Sequence, residues 1–438
     1  MRKSLICLLM VMSASQLAAN YYTQFPIKIS KNRKYLTDSR GQPFLMNADS
    51  GWLLLQKLGI GEVQEYFVKR KSQAFNTIFI QLLPPEPGET NFYGQTPFYK
   101  PDDLLLPNEK YFDHVAVVLA EAKKHNLLVA INPAWLGCCG GNWAKAQSVN
   151  GDSVCNKYGQ YLGERFKKFD NVVWIMGGDR DPLGEESAVR AMAYGIRSRT
   201  DDQLMTYHAA SSRSSTDVFM GEPWLDFSMV YTYFRGKTNA WTTDMPQVYE
   251  IAQKEYRAPK PTAFVLGEAQ YENEDVGNAQ MMRRQAYWTM LAGGSGHCYG
   301  STVWKFDKNW RVVSNLPGAL QMQHFYKLMS GLPWEHFVPD TQNQFVVGGQ
   351  SPWQDPNYVA VASLSNRKLM VAYIPRSGPL QIDFGQLKGK RLRVNWYSPR
   401  TGKKWVTAHY APSVGVRQVM PPTIGDDWLL VIGNVSKD

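Results

Sequence analysis

The chain has 438 residues, of which 44% are hydrophobic and 20% are charged, a balance typical of a folded protein and not of a disordered one. This length allows a large domain with a smaller one attached. The formal net charge of +10 is compatible with an acidic polymer as substrate or with a merely mixed surface. Because no lysine- or arginine-rich run and no recognition-helix pattern is present, the sequence argues against nucleic-acid binding.

The first 19 residues have the pattern of a signal peptide. Arg2 and Lys3 precede a short apolar run from Leu5 to Met12, and small residues near Ala19 offer a cleavage site, with a cut after Ser15 as the alternative. The sequence therefore predicts export to the periplasm or the extracellular space. No later stretch reaches the roughly 20 apolar residues of a transmembrane helix.

After a hairpin predicted for residues 27–44, short apolar runs alternate with helical patterns along the chain. The helical stretches include residues 63–73, 111–124, 186–197 and 281–291. Continuous apolar strands separated by helices indicate a parallel sheet covered on both sides. Eight such strands are predicted, at residues 44–47, 76–81, 127–132, 172–176, 204–208, 227–231, 262–266 and 297–299.

Eight strand–helix units within residues 20–333 match the usual size of an α/β fold, the (β/α)8 or TIM barrel. The alternative is a doubly wound open sheet, which is expected to carry a glycine-rich phosphate loop after its first strand. Residues 47–51 read Asn-Ala-Asp-Ser-Gly, which is not such a loop. We therefore predict the barrel.

From about Trp334 the pattern changes to short alternating segments separated by prolines and glycines. Such segments are typical of an antiparallel β-sandwich, and we predict one over residues 334–438. The domain shows no obvious triplet of exposed aromatic residues, so we expect it to be mainly structural and to pack on the barrel.

Four cysteines follow the signal peptide: Cys138, Cys139, Cys155 and Cys298. Export permits disulfides, and Cys155 with either member of the adjacent pair is the favoured bridge. The sequence is equally compatible with Cys298 as a free buried thiol and with Cys298 in a disulfide. Neither the cysteine spacing nor the scattered histidines match a metal site, so no metal and no cofactor is predicted.

Two carboxylates stand directly after the fourth and seventh predicted strands, where a barrel carries its active site. The fourth run continues as Gly-Gly-Asp179-Arg180, and the seventh as Gly-Glu268. Glycoside hydrolysis needs one carboxyl group to donate a proton and another to attack the sugar or to activate water. We predict that Asp179 and Glu268 form this catalytic pair. The alternative is an ion pair of Asp179 with Arg180 and a surface position for Glu268.

Polar and aromatic side chains also stand at or after the other strand ends, as a sugar pocket requires, although each also fits a core or rim position. No serine-hydrolase elbow or phosphate loop competes with this interpretation. The predicted substrate-binding residues are Asp49, Trp52, Gln81, Trp135, Arg180, His208, Tyr231, Tyr233, Tyr271, His297, Tyr299 and Trp304, and Asn132 stands beside them at the third strand end.

Six stretches of the sequence carry a family resemblance: residues 47–52, 75–81, 173–180, 266–272, 283–288 and 296–300. Together they resemble the apiosidase-like glycoside hydrolases (glycoside hydrolase family 140), in which a barrel is followed by a collagen-binding-type β-sandwich. The resemblance implies a retaining reaction with Asp179 as acid/base and Glu268 as nucleophile, and a terminal apiose on a pectic side chain, rhamnogalacturonan II, as substrate. The sequence departs from the family pattern at the first strand and at Tyr233.

The sequence thus predicts an exported glycosidase that removes a terminal sugar from a plant polysaccharide. The alternative is a carbohydrate- or matrix-binding protein on a degenerate barrel. Both carboxylates are present, and a barrel without activity would be expected to have lost at least one. The oligomeric state remains open.

Overall fold

The computed structural model describes residues 22–137, 143–233 and 248–434. The described chain begins with an antiparallel hairpin of β1 (Lys28–Ile29) and β2 (Leu36–Thr37). Ile27 and Leu36 are buried in the same cluster as Met46 from the barrel interior. The hairpin therefore closes the amino-terminal end of the barrel.

Nine strands that follow form a single sheet, of which eight are parallel and belong to the (β/α)8 barrel. In chain order they are β3 (Met46–Ser50), β4 (Thr77–Gln81), β5 (Leu128–Asn132), β6 (Val172–Gly177), β7 (Met205–His208), β8 (Arg213–Ser214), β9 (Ser228–Tyr231), β10 (Phe264–Glu268) and β11 (Gly296–Tyr299). Their spatial order is β7-β6-β5-β4-β3-β11-β10-β9-β8, and β8 runs antiparallel to β9. The predicted barrel is confirmed.

The barrel closes between β7 and β9, where no ladder joins the two strands within the described residues. The hydroxyl of Ser215 bridges them instead. It donates a hydrogen bond to the carbonyl oxygen of Tyr207 (2.5 Å) and accepts one from the amide of Met229 (2.7 Å). A buried side chain thus replaces the missing backbone pairing at this point.

Helices cover the outside of the barrel, and none of those described combines the length and the apolar character needed to cross a membrane. Two neighbouring helices, at residues 144–166 and 186–197, touch through glycines, because a Cβ atom at Gly159 would lie 2.2 Å from the carbonyl oxygen of Met192. The helices are α1 (Leu54–Lys57), α2 (Ile60–Ser72), α3 (Glu109–Lys124), α4 (Ala144–Phe166), α5 (Glu186–Arg197), α6 (Thr216–Phe219), α7 (Val248–Tyr256), α8 (Ala279–Leu291), α9 (Trp310–Val313) and α10 (Pro317–Ser330).

Side chains along each barrel strand alternate between the interior and the helices. On β11 the interior position is Cys298, which packs with Trp52, whereas Tyr299 joins the cluster around the helices. His297 also faces outward, with its ring 4.8 Å from that of Phe325 on α10. The prediction that His297 and Tyr299 line the pocket is therefore wrong.

Asp49 on β3 faces outward as well. Its carboxylate accepts a hydrogen bond from Nε of Arg70 on α2 (2.6 Å) and another from the hydroxyl of Tyr66. Both members of this ion pair are fully buried. Asp49 anchors a helix to the barrel wall, which corrects its assignment to the substrate pocket.

The carboxyl-terminal domain consists of two packed antiparallel sheets, as predicted. One has the order β12-β14-β15-β20-β17-β18 and the other β13-β16-β19, with a shared core that includes Trp396, Ile382 and Ile432. The strands are β12 (Phe337–Pro339), β13 (Val346–Gly348), β14 (Ala360–Leu364), β15 (Leu369–Ile374), β16 (Leu380–Asp383), β17 (Leu392–Tyr397), β18 (Lys404–Tyr410), β19 (Val416–Val419) and β20 (Trp428–Asn434).

The outer face of the larger sheet packs against α8 and α10 of the barrel. Tyr373 stacks on Tyr287 with ring centroids 5.1 Å apart. Arg283 donates two hydrogen bonds to the carboxylate of Asp427, at 2.7 and 2.8 Å. The side chains of this pair are 5% and 1% exposed, so the interface contains a desolvated, bidentate ion pair.

Cys155 and Cys298 are buried free thiols. Cys155 lies on the core-facing side of α4, and its Sγ is 3.6 Å from the carbonyl oxygen of Gln147. Within the described residues, Cys155 therefore forms no disulfide. Its expected partners, Cys138 and Cys139, lie outside the described residues.

The interface pair can be tested with Asp427→Asn. This change leaves the guanidinium of Arg283 buried without a compensating charge, and we expect the free energy of unfolding to fall by about 3–5 kcal/mol. Urea denaturation followed by tryptophan fluorescence measures the loss. Arg311→Ala, which breaks an exposed pair with Glu65, should leave the midpoint close to that of the wild type. Equal midpoints for all three proteins would contradict this role of Asp427.

The outward position of His297 predicts a pH dependence of stability. Burial lowers the pKa of His297 to about 3, so the unfolded chain takes up a proton at mildly acidic pH and the native protein does not. Stability is therefore lost as pH falls below about 6.5, by roughly 2 kcal/mol at pH 5. His297→Leu should remove that part of the decline measured by denaturation at pH 7 and pH 5. His336→Leu, at an exposed histidine, is the control; a decline in His297→Leu as steep as in the wild type would refute the argument.

Candidate active site

Glu268 ends β10 at the mouth of the barrel, directly after an irregularity in the pairing with β9. Only 8% of the residue is exposed. The hydroxyl of Tyr271 donates a hydrogen bond to Oε1 (2.6 Å), and Nε2 of His208 lies 2.6 Å from Oε2. Each carboxylate oxygen thus has a hydrogen-bond partner, and the two contacts fix the orientation of the group.

Asp179 reaches the same mouth through a backbone turn that requires glycine. Gly177 and Gly178 have φ of 82° and 136°, and Asp179 itself has φ of 50°. A Cβ atom at Gly177 would lie 2.3 Å from the ring of Tyr207, and one at Gly178 would lie 2.5 Å from the ring of Trp135. Two glycines are therefore needed for the left-handed turn that sets the direction of the Asp179 side chain.

His208 connects the two carboxylate residues. Its Nε2 lies 2.6 Å from Oε2 of Glu268, and its Nδ1 has two alternative partners. In the neutral ring Nδ1 accepts a hydrogen bond from the amide of Asp179 (3.2 Å), whereas in the protonated ring it donates one to the carbonyl oxygen of Ala209 (3.0 Å). Burial acts to lower the pKa of His208, but the hydrogen bond and charge of Glu268 and the charge of Asp179 outweigh it and raise that pKa above its ordinary value.

The carboxyl groups of Asp179 and Glu268 are close together. One oxygen from each and one ring nitrogen of His208 all lie within 4.8 Å of one another. The hydroxyl of Tyr231 donates to Oδ1 of Asp179 (2.9 Å), and burial together with the charge of Asp179 raises the pKa of Tyr231 well above its usual value, which keeps this donor protonated. The two carboxyl groups therefore lie close enough to act on the same bond of a substrate.

The same three residues could in principle ligate a cation. An imidazole nitrogen must give up its proton to bind a metal. Here Nε2 of His208 lies 2.6 Å from a carboxylate oxygen of Glu268, a distance that places a proton between them. The geometry favours a hydrogen-bonded catalytic pair over a metal centre.

Aromatic rings form the wall behind this pair. Trp52 donates from Nε1 to the hydroxyl of Tyr271 (2.7 Å), and its ring lies 5.0 Å from that of Trp135. Trp135 and Tyr231 contact the His208 ring at 5.0 and 4.6 Å. The rings exclude water around His208 and offer flat faces of the kind that pack on the CH groups of a sugar.

Gln81 and Asn132, at neighbouring strand ends, present unused acceptors. Asn132 donates from Nδ2 to the carbonyl oxygens of Ile175 and Gly177, at 2.7 and 2.9 Å. Within the described residues, Oδ1 of Asn132 and Oε1 of Gln81 are buried without a hydrogen-bond partner. A buried acceptor without a donor is costly, and a sugar hydroxyl could supply one.

A second polar group surrounds Glu274, which the sequence analysis missed. The hydroxyl of Tyr233 donates to Oε2 of Glu274 (2.5 Å), and the ring of Tyr233 lies 4.9 Å from that of Tyr271. Lys305, also missed, has Nζ 3.7 Å from Glu274 and 5.4 Å from the ring of Trp304. The polar stretch that follows Glu268 was the available signal for Glu274, since loops after barrel strands carry binding residues.

Arg180 is held by neighbouring residues of its own loop. Its guanidinium forms an ion pair with Glu185 (2.9 Å) and donates to the carbonyl oxygen of Asp181. Its role in substrate binding stays a prediction. Trp304, in a short helix at residues 302–305, packs against the same interior cluster. The structure thus brings together nine of the predicted residues, in direct contact or through one intervening ring: Asp179, Glu268, Trp52, Trp135, His208, Tyr231, Tyr233, Tyr271 and Gln81.

Two family models cover most of the chain. Residues 30–336 match the model described as "Apiosidase-like, catalytic domain", and residues 338–433 match "Putative collagen-binding domain of a collagenase". No curated protein matches the chain in sequence.

Solved structures of glycoside hydrolases share the fold over both domains. One described as "Glycoside hydrolase" has a TM-score of 0.83 at 24% identity, with 95% of this chain and 99% of that chain covered. A family 5 glycoside hydrolase from Bacteroides vulgatus has the same TM-score and identity, with 94% of each chain covered. At this identity the likeness shows the fold, whereas the model over residues 30–336 shows the family. The chain belongs to the apiosidase-like family and is a glycoside hydrolase.

Proposed function

We propose that the protein hydrolyses its substrate with retention of configuration, with Asp179 as general acid/base and Glu268 as nucleophile. The observation that carries this proposal is the approach of the two carboxyl groups, with oxygens within 4.8 Å. Retaining enzymes hold the pair about 5–5.5 Å apart, whereas inverting enzymes leave about 6.5–9.5 Å for a water molecule.

In the first step, an oxygen of Glu268 forms a bond to the anomeric carbon as the bond from that carbon to the leaving oxygen breaks. Asp179 transfers its proton to the leaving oxygen. In the second step, Asp179 takes a proton from water as the water oxygen attacks the anomeric carbon. The bond from that carbon to Glu268 breaks in the same step. This regenerates the Glu268 carboxylate and the protonated Asp179 and gives a sugar of unchanged configuration.

The surrounding hydrogen bonds hold the two side chains in place. Tyr271 donates to Oε1 of Glu268, and Nε2 of His208 lies 2.6 Å from Oε2, which fixes the orientation of the proposed nucleophile. Tyr231 donates to Oδ1 of Asp179. The two carboxyl groups thus have different surroundings, as an acid and a nucleophile require.

We further propose a terminal apiose of a pectic side chain as the sugar that is removed, with the protein exported to the periplasm or beyond. The family supports the choice of sugar, and the basic start and short apolar run of residues 1–19 support export. The unused acceptors of Gln81 and Asn132 support a polyhydroxylated ligand.

The catalytic roles predict distinct losses for Asp179→Asn and Glu268→Gln. With natural glycans, each variant should lose at least about 10³-fold in kcat/KM, because each lacks one of two essential groups. With an aryl glycoside whose leaving group needs no proton, Asp179→Asn should still release the aryl group rapidly, whereas Glu268→Gln should not. Proton NMR of the first-formed sugar should show retention.

Asp181→Asn is the matched control, since Asp181 binds Arg213 and takes no part in the proposed chemistry. Inverted product would refute the nucleophilic role of Glu268. Glycan binding without hydrolysis by the wild type, on any member of a plant glycan panel, would instead support a non-catalytic binding protein.

A further inference from the structure

The positive charge of the chain is concentrated in one short segment. Residues 388–420 contain eight lysines and arginines and no aspartate or glutamate, so this segment carries +8 of the formal net charge of +10. The net positive charge of the protein is therefore located mainly in the carboxyl-terminal domain and is not spread over the whole chain.

This segment forms one side of the sandwich. It comprises β17, β18 and β19, and β18 and β19 are the terminal strands of their respective sheets. Arg400 is engaged with Asp426 (2.8 Å), and Arg393 is half-buried. Six further basic side chains are exposed, and none forms an ion pair with a described residue: Lys388, Lys390, Arg391, Lys403, Lys404 and Arg417.

An exposed aromatic ring lies among these charges. Trp405 follows Lys404 on β18 and is 37% exposed. Its ring makes an edge contact with Trp428 at 5.0 Å, and Trp428 is buried in the sandwich core. The ring of Trp405 is therefore held in place while part of it faces solvent, as a binding platform requires.

We propose that this basic edge, defined as the six exposed cations together with Trp405, binds an acidic polysaccharide of the polyuronate type. The seven residues of β18 span about 23 Å in extended form, long enough for several sugar units of a chain lying along the strand. The cations neutralise carboxylates, and the indole ring packs on the apolar face of a pyranose.

The edge combines diffuse positive charge with a flat apolar surface. Four of the six cations are lysines, which act as point charges and set no fixed geometry for their partner, and the partly exposed ring of Trp405 can cover the apolar face of a carboxylated pyranose. Binding at this edge is independent of the roles proposed for Asp179 and Glu268, because none of its residues belongs to the barrel.

The test measures binding of full-length Glu268→Gln protein, which does not consume its ligand, to polygalacturonate and to neutral galactan by affinity electrophoresis. Polygalacturonate should retard the protein at low salt and much less at 0.5 M salt, because screening weakens exposed charges. When Lys403→Ser and Lys404→Ser are introduced together into the Glu268→Gln protein, binding should weaken by roughly 10- to 30-fold. When Trp405→Ala alone is introduced into the Glu268→Gln protein, binding of polygalacturonate should weaken several-fold at low and at high salt concentration.

The matched control is Lys110→Ser with Lys157→Ser, which removes two exposed lysines from the barrel helices and should leave retardation unchanged. Unfolding midpoints show that each variant is folded. Absence of retardation by polygalacturonate, equal retardation by galactan, or equal loss in the control would overturn the proposal. Tighter binding to duplex DNA or to phosphatidylglycerol vesicles would also overturn it, since the edge would then recognise phosphate. Hydrolysis is measured separately with wild-type protein, so either proposal can fail alone.

Discussion

In a closed parallel barrel, each strand sends alternate side chains to the interior and to the surrounding helices. In this protein the interior positions end in Gln81, Asn132, His208 and Tyr231, at the carboxyl ends of their strands, whereas Glu268 follows an irregularity in the pairing of β10 with β9. A shift of one residue in any of these four strands would turn its last side chain away from the interior. The site therefore depends on the register of the whole barrel, including the closure between β7 and β9 that Ser215 bridges.

The turn at Gly177 and Gly178 positions Asp179, which lies beyond the last residue of β6. It redirects the chain after β6, and Asp179 adopts a left-handed conformation with φ of 50°, which aspartate tolerates better than most residues. Trp135 packs on Gly178, and the amide of Asp179 donates to His208. Because His208 also contacts Glu268, one imidazole links the two carboxylate residues, and these contacts offset strain in the turn.

The sequence was sufficient to predict the eight strands and the carboxylates after the fourth and seventh, because apolar runs and the residues that end them are local signals. It could not assign faces. His297 and Cys298 are adjacent at one strand end, and only pairing with distant strands determines that the thiol points inward. Helix α4 was missed for another reason: Gly151, Gly159 and Gly163 weaken its pattern, yet Gly159 permits the close contact with α5.

The carboxyl-terminal domain uses its surfaces in different ways. The outer face of its larger sheet is committed to the barrel through the stack of Tyr373 on Tyr287 and the buried pair of Arg283 and Asp427. Such a desolvated contact fixes orientation more firmly than a polar, solvated interface would. The edge formed by β18 and β19 stays exposed, with the positive charge gathered there. A polymer held at that edge would therefore keep a constant geometry relative to the barrel mouth, and the junction, not a flexible linker, would determine which of its side chains can reach Glu268.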